Sequence, residues 1–314
     1  MNLPAFLQPS PPDVAVDIAP GRVAVARVEK RGGGFALAAY AVEALPEGAV
    51  SGTLSAPNMP DLPGVGAAVA RALAEAGIRP GRVALVVPDS IARVSLVRFE
   101  TVPARGADLD ELIRWQIKKT TPFPLEEAVV AATAGATTAG AHEFVVSVAR
   151  RDVVAQYEAA CAAAGCRAGV VDLATFNVVN AVLAGGRAVR GDWLLVHAAD
   201  TYVSLAVIRD GHLIFYRTRG EESEGSIADL VHQTAMYYED RLSGQRFDGV
   251  LLAGGATAAG ADHLRNELSD RLGHEVASVD PFQAASPTRG RPSSTLADLL
   301  APSVGLLVRE GTEA

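Results

Sequence analysis

Aromatic residues are scarce in this chain, at 5% of its 314 residues. The core must therefore be built mainly from Ala, Val and Leu, and a hydrophobic fraction of 49% supplies enough of them. Cysteine is nearly absent. Cys161 and Cys166 are too few and too close for a disulfide framework, and they lack the spacing of a zinc or redox motif. They read as buried thiols kept reduced, as in a cytoplasmic protein. No run approaches the ~18 consecutive apolar residues of a membrane span, so direct membrane insertion is not expected. Residues 1–12 lack the basic region and apolar stretch of a signal peptide and read as a short tail. A basic excess is lacking too: Lys and Arg number 28 against 36 Asp and Glu, for a net charge of -8. That balance argues against nucleic acid as the main partner, since phosphate binding needs a basic footprint. The sequence contains no His-Glu-x-x-His, Gly-x-Ser-x-Gly or Gly-x-x-x-x-Gly-Lys-Ser/Thr. The motif-based cases for a metalloprotease, a serine hydrolase and a P-loop enzyme therefore fail.

What is present is a duplication. Residues 14–25 and 194–205 align at a constant offset of 180, and both read as strand, tight turn, strand. Ala19-Pro20-Gly21 is the first turn, and Gly32-Gly33-Gly34 punctuates before a third strand at 35–42. In the second copy, Asp210-Gly211 is a hairpin turn. Helical spacing appears over 64–77, 226–242 and a run carrying Leu264, Leu268 and Leu272. Between the copies lies a strand, helix, strand, strand unit. Its helix is expected to start at Asp108 as N-cap, with Glu111 at capping-box spacing, and Trp115 is expected to face the core or a subdomain boundary. Arg114, Lys118 and Lys119 flank Trp115 and read as a solvated face, or else as a docking face for a peptide. Residues 284–295 read as a polar loop before a last leucine-rich helix interrupted by Pro302. The expected organisation is an N-terminal tail at 1–12, a first lobe at 13–89 and 166–190, an inserted α+β unit at 90–165, a second lobe at 191–300, and a C-terminal helix and tail at 301–314. The class is α/β with two lobes and a cleft between them.

The order of elements resembles the PilM-like type IV pilus assembly proteins, relatives of FtsA and of the cytoplasmic part of GspL in the actin-like ATPase superfamily. The middle unit carries most of this resemblance: Val94-Ser-Leu-Val-Arg98, then Glu111-Leu-Ile-Arg-Trp115-Gln, then Pro122-Phe123-Pro124-Leu125-Glu126-Glu127. Val170-Val-Asp172, Ala253-Gly254-Gly255-Ala256, Asp280-Pro281-Phe282 and Val304-Gly305-Leu306-Leu307 support it in order. The resemblance implies an actin-like fold with duplicated ribonuclease-H-like cores. After Arg217-Thr-Arg-Gly220 such proteins carry further helices over the adenosine. Here only a short acidic stretch separates Gly220 from the next helix, so the fourth subdomain is reduced or absent.

The same resemblance marks the site and shows it to be altered. The family's first phosphate loop reads Asp-Ile-Gly with hydroxyl residues and a Lys following. Here Asp17-Ile18 stands, Ala19 replaces the Gly, Pro20, Gly21 and Arg22 fill the hydroxyl positions, and Ala24 replaces the Lys. Pro20 offers no N–H to a phosphate, and Arg22 supplies charge instead. In the second loop, His197-Ala198-Ala199 stands where Asp-Ile-Gly is expected. The candidate cofactor-binding residues are Asp17, Gly21, Arg22, Gly254 and Gly255. Asp17 doubles as a plain turn aspartate, Gly254-Gly255 as a turn needing glycine for geometry, and His197 as a hydrogen-bonded core histidine. No catalytic or metal-binding residue is assigned. ATP or ADP with Mg is expected to bind weakly or not at all. The resemblance implies a scaffold of a type IV pilus, or a related type II secretion, assembly platform at the cytoplasmic face of the inner membrane, held there by a partner. That partner is the N-terminal segment of a PilN-like membrane protein, beside other pilus assembly platform proteins. Self-association stays open. The alternatives are an ATPase or small-molecule kinase, and a filament-forming protein of the FtsA type.

Overall fold

A computed structural model describes residues 12–138, 140–186, 191–220, 225–255 and 258–309. The chain opens with a meander of β1 (Val14–Ala19), β2 (Arg22–Arg31) and β3 (Gly34–Ala44), followed by α1 (Leu62–Glu75) and β4 (Arg82–Val87). The inserted unit holds β5 (Ala92–Phe99), α2 (Gly106–Ile117), β6 (Ala128–Thr138) and β7 (Ala141–Arg150). It leaves through α3 (Arg151–Ala163) into β8 (Arg167–Leu173) and α4 (Ala174–Ala184). The second meander is β9 (Trp193–Ala198), β10 (Tyr202–Arg209) and β11 (His212–Gly220), then α5 (Ile227–Arg241), β12 (Gly249–Gly254), α6 (Ala258–Leu272) and β13 (Val276–Ser278). β14 (Ala285–Pro287) and α7 (Ser294–Val308) end the described chain.

The duplication is exact at the level of register. In the first sheet Asp17 of β1 pairs with Ala24 of β2, and in the second His197 of β9 pairs with Ser204 of β10. Strand order is β14-β3-β2-β1-β4-β8 in one sheet and β11-β10-β9-β12-β13 in the other, so each copy is a meander extended by parallel strands. β11 and α5 are separated by only six residues, which leaves no room for a further subdomain there.

Alternation along each strand buries both faces. From β2, Val23 and Val25 join a core with Val65, Val69 and Leu73 of α1 and Val153 and Tyr157 of α3. Ala24, Ala26 and Val28 face the other way, onto Leu300, Val304 and Val308 of α7. The second sheet packs Leu194, Val196 and Leu205 on Leu230 and Val231 of α5 and Leu268 of α6. Its other face places Trp193, Leu195 and Ile208 against Val178 and Val179 of α4 and Ala301 of α7. α4 and α7 are thus a helical layer shared by both sheets. They approach closely at Gly305, where a Cβ would stand 1.7 Å from the Asn177 carbonyl oxygen.

Four local expectations are corrected. β14 pairs β3 of the first sheet and α7 packs on both sheets, although residues up to 300 were expected in the second lobe. The apolar face of α7 fits the gap between the sheets better than the outside of either one. Within the expected polar loop at 284–295, Ala285–Pro287 forms β14. α2 starts at Gly106 with Arg105 at the N-cap and no side-chain cap bond, so Asp108 sits inside the first turn, where its charge favours the helix dipole. Trp115 is 70% exposed because Ile113 and Ile117 take the buried face of α2. Cys161 and Cys166 are free and buried.

Gly305→Ala tests the shared helical layer. A methyl group there must displace backbone, so a loss of about 1–3 kcal/mol is expected in urea unfolding, with the midpoint lowered.

Candidate functional site

The two equivalent turns face one another across the lobes, and the side chains between them fill the space. A cavity of about 40 Å³ is bordered by Asp17, Pro20, Arg22, His197, Asp200, Gly254 and Asp298, among others. That is room for about three waters, at ~10–15 Å³ each. Arg22 is the reason. It reaches back to Asp17 at 3.3 Å within its own lobe and across to Asp200 of the second lobe at 3.4 Å. Among the described residues, Arg22 Nε and Thr201 Oγ1 are buried with no hydrogen-bond partner. Burial pushes the Asp17 carboxyl above its ordinary range, with the Arg22 guanidinium pulling the other way. Asp298 of α7 accepts a hydrogen bond from the Gly254 N–H, yet burial pushes it up to about 6.

Of the five residues expected to touch a cofactor, Asp17, Arg22 and Gly254 border this cavity, and Gly21 and Gly255 do not. Gly21 makes the β1–β2 turn at φ +81°. A Cβ on Gly254 would stand 2.1 Å from the Ala198 carbonyl oxygen, and one on Gly255 would stand 2.7 Å from Ala261 Cα. Glycine at both positions is required by protein packed against protein. At this cavity Pro20 has no N–H to give a phosphate, Arg22 is engaged by Asp17 and Asp200, and Asp17, Asp200 and Asp298 border the space.

Behind the cavity lies a polar cluster that the sequence reading missed apart from His197. Asp89 follows β4 in a single helical turn and is fully buried. Its Oδ1 accepts from the Thr175 N–H at 3.0 Å. Its Oδ2 accepts from Thr175 Oγ1 and from Ser204 Oγ, the latter at 2.7 Å. Ser204 also meets Thr218 Oγ1 at 2.9 Å and accepts from the Tyr216 hydroxyl at 3.3 Å. Thr175 spends its only proton on Asp89. His197 Nδ1, 2.7 Å from Thr175 Oγ1, must therefore be the donor there, which assigns the tautomer. Thr175 starts α4 after the first sheet, while His197 and Ser204 belong to the second. One carboxylate thus joins both lobes. A carboxylate directly after a strand closed by proline, Val87-Pro88-Asp89, was the available signal. The sequence has no way to show what it meets.

His197 sits below its ordinary 6.5, chiefly from burial, with Asp89 and Asp200 opposing and Arg22 assisting. The unfolded chain therefore binds the proton more readily than the folded one as pH falls below 6.5. Stability held at neutral pH is lost on acidification. Asp298 has the opposite slope between about 4 and 6, so the readout must be a difference. His197→Asn keeps a donor near the Nδ1 position without a titrating ring. From pH 7 to 5 in urea unfolding, the wild type should lose stability relative to this variant. Parallel curves would remove His197 from the account.

Residues 15–225, more than half of the chain, match the family described as type IV pilus assembly protein PilM. In fold, the protein is similar to a solved "PilM-PilN type IV pilus biogenesis complex", with TM-score 0.79, 17% identity, and 96% of this chain and 98% of that one covered. Weaker similarity extends to ethanolamine utilization protein EutJ from Carboxydothermus hydrogenoformans, at TM-score 0.46, 15% identity and coverage of 96% and 91%. The cytoplasmic domain of EpsL, an inner membrane component of the Vibrio cholerae type II secretion system, gives TM-score 0.47, 11% identity and coverage of 95% and 93%. The fold is the actin-like ATPase fold, and the chain belongs to the type IV pilus assembly protein PilM family.

Proposed function

We propose that this protein is a scaffold of the type IV pilus inner-membrane platform that docks the cytoplasmic N-terminal segment of a PilN-like membrane protein and has given up nucleotide turnover. The observation that carries this reading is a groove, separate from the cleft. The inserted sheet, in order β5-β7-β6, has two faces. One packs Val97, Phe144, Val146 and Val148 against Ile113 and Ile117 of α2. The other presents Val129, Ala131, Thr133 and Val145 to Val171, Leu173 and Phe176 across an opening of about 150 Å³. β8 is the last strand of its sheet, so the groove runs along an outer strand edge. Apolar pockets beside such an edge suit an extended peptide: main-chain bonds give affinity, and alternate side chains give specificity.

The protein is placed at the cytoplasmic face of the membrane by its partner. Among the described residues no helix is long and apolar enough to cross a bilayer. Weak or absent ATP binding is consistent with the small, Arg22-filled cleft. An ATPase or kinase would need carboxylates free to hold metal and position a nucleophile, and Asp17 is engaged by Arg22.

Two measurements test this. Synthetic N-terminal segments of candidate PilN-like proteins, titrated calorimetrically, should include one that binds with micromolar Kd, about -8 kcal/mol. Ala131→Glu should weaken it at least tenfold by putting a charge on the apolar wall. A panel with no binder removes the docking reading. Mg-ATP and Mg-ADP at millimolar concentration should give no binding heat. Turnover that disappears in Asp17→Ala would instead restore the enzyme reading.

A further inference from the structure

Trp115 is the most exposed large apolar side chain among the described residues, at 70%. The helix that carries it, α2, is covered on one side only. Leu109, Leu112, Ile113 and Ile117 are wholly or partly buried, and every other residue of α2 is exposed. Lys118 keeps helical dihedrals at the C-cap, φ -54° and ψ -41°, so the helical phase carries to Lys119. That phase sets Asp108, Glu111, Lys118 and Lys119 within about 60° of Trp115 around the axis. All four are exposed, and none forms an ion pair among the described residues. The outward stripe of α2 therefore runs acid, indole, base along its length.

Acid near the start and base near the end also suit the helix dipole. The dipole gives no reason for an exposed indole between them. A stripe in this order is complementary to itself when reversed. With a twofold axis at Trp115, Glu111 lies four residues to one side and Lys119 four to the other, about 6 Å each along the helix. The partner's Lys119 then stands level with Glu111, and the partner's Glu111 with Lys119, while the two indoles meet on the axis. This is the property of an isologous contact, in which each pairing occurs twice. Packed helices approach to about 8–10 Å between axes, within reach of both kinds of contact.

We propose that α2 is a self-association surface, pairing antiparallel with α2 of a second copy of this chain through Trp115, Glu111 and Lys119. On its inner side α2 packs against Val97, Phe144, Val146 and Val148, the face of the inserted sheet turned away from the groove. Pairing therefore leaves a groove open on each copy and requires nothing of what fills it. One helix pair is a small contact, short of the ~1,200 Å² of a stable complex. The pair is accordingly weak, with a Kd on the order of 100 μM for free chains. Where membrane-anchored partners hold two chains together, a step that alone rests on the docking reading, tethering raises the local concentration toward the millimolar range and fills the contact.

Sedimentation equilibrium of the full chain, from about 10 μM to about 1 mM, tests this. At low salt the mean mass should rise from 32.5 kDa toward twice that value and no further, because an isologous contact closes at two copies. Raising the salt to about 0.5 M should lower the dimer fraction, since exposed ion pairs are screened. Trp115→Ala should weaken association at least tenfold. Charge reversal gives the decisive reading. Glu111→Lys alone, and Lys118→Glu together with Lys119→Glu, should each weaken association at least tenfold, because like charges then meet across the axis. Mixed in equal amounts, these two variants should form a heterodimer tighter than the wild-type pair, since each basic side chain at these positions then faces an acidic one. All these positions are exposed, and an unchanged urea midpoint confirms that each variant is folded. Wild-type protein that stays at 32.5 kDa up to millimolar concentration overturns the proposal. So does a mass that climbs past two copies, or a mixture no tighter than either variant alone, whether or not any peptide fills the groove.

Discussion

The Asp89 carboxylate sits where the two lobes meet, and the geometry of both sites depends on how it is satisfied. Taking a carboxylate out of water costs several kcal/mol unless donors replace the lost hydration. Here the donors are the Thr175 N–H and hydroxyl from one side and the Ser204 hydroxyl from the other. Each is a neutral group whose loss would leave a buried acceptor short by about 1–3 kcal/mol. The lobes are also joined by the apolar layer of α4 and α7, but apolar contact is non-directional. Hydrogen bonds to one carboxylate are directional, so this cluster adds an orientational constraint between the lobes.

The cleft is closed by the same logic at lower strength. Arg22 bridges Asp17 and Asp200, and because its side chain is partly exposed that bridge is screened more than the cluster behind it. In an actin-like frame this is where a phosphate and its counter-ion would lie between two turns. A guanidinium supplied by the chain itself now faces the carboxylates there. Gly254 and Gly255 fit this picture, because the space a Cβ would need is taken by Ala198 and Ala261. Both glycines let β12 turn against its neighbours.

The duplication was legible because it is local: two turns at a fixed offset, each flanked by alternating strands, reveal two sheets of the same order without any long-range information. The inserted unit was legible for the same reason, through its helix and the Pro-Phe-Pro turn. What was hidden depends on partners distant in sequence. Asp89 lies 86 residues from Thr175 and 115 from Ser204, and nothing local marks it as a junction. α7 reads as a leucine-rich helix interrupted by Pro302, yet the apolar gap it fills lies between both sheets, and only the assembled fold reveals that gap. Trp115 misleads in the other direction. Hydrophobicity favours burying it, but the helical period gives the inward positions to Ile113 and Ile117, two residues to either side. Of the site, Asp17, Arg22 and Gly254 were legible from the turn, whereas Asp200 and Asp298 were not.

The placement of the groove follows from how the inserted unit is attached. The chain leaves the first sheet at the end of β4 and enters β5 through the single turn Asp89–Ile91. It returns through α3, which packs in the first lobe's core through Val153 and Tyr157. The exit is therefore anchored by apolar packing and the entry by a carboxylate. The residue that fixes the turn is also the one that ties Thr175 to Ser204. Asp89 therefore ties the entry turn of the inserted unit to α4 on one side and to β10 of the second sheet on the other.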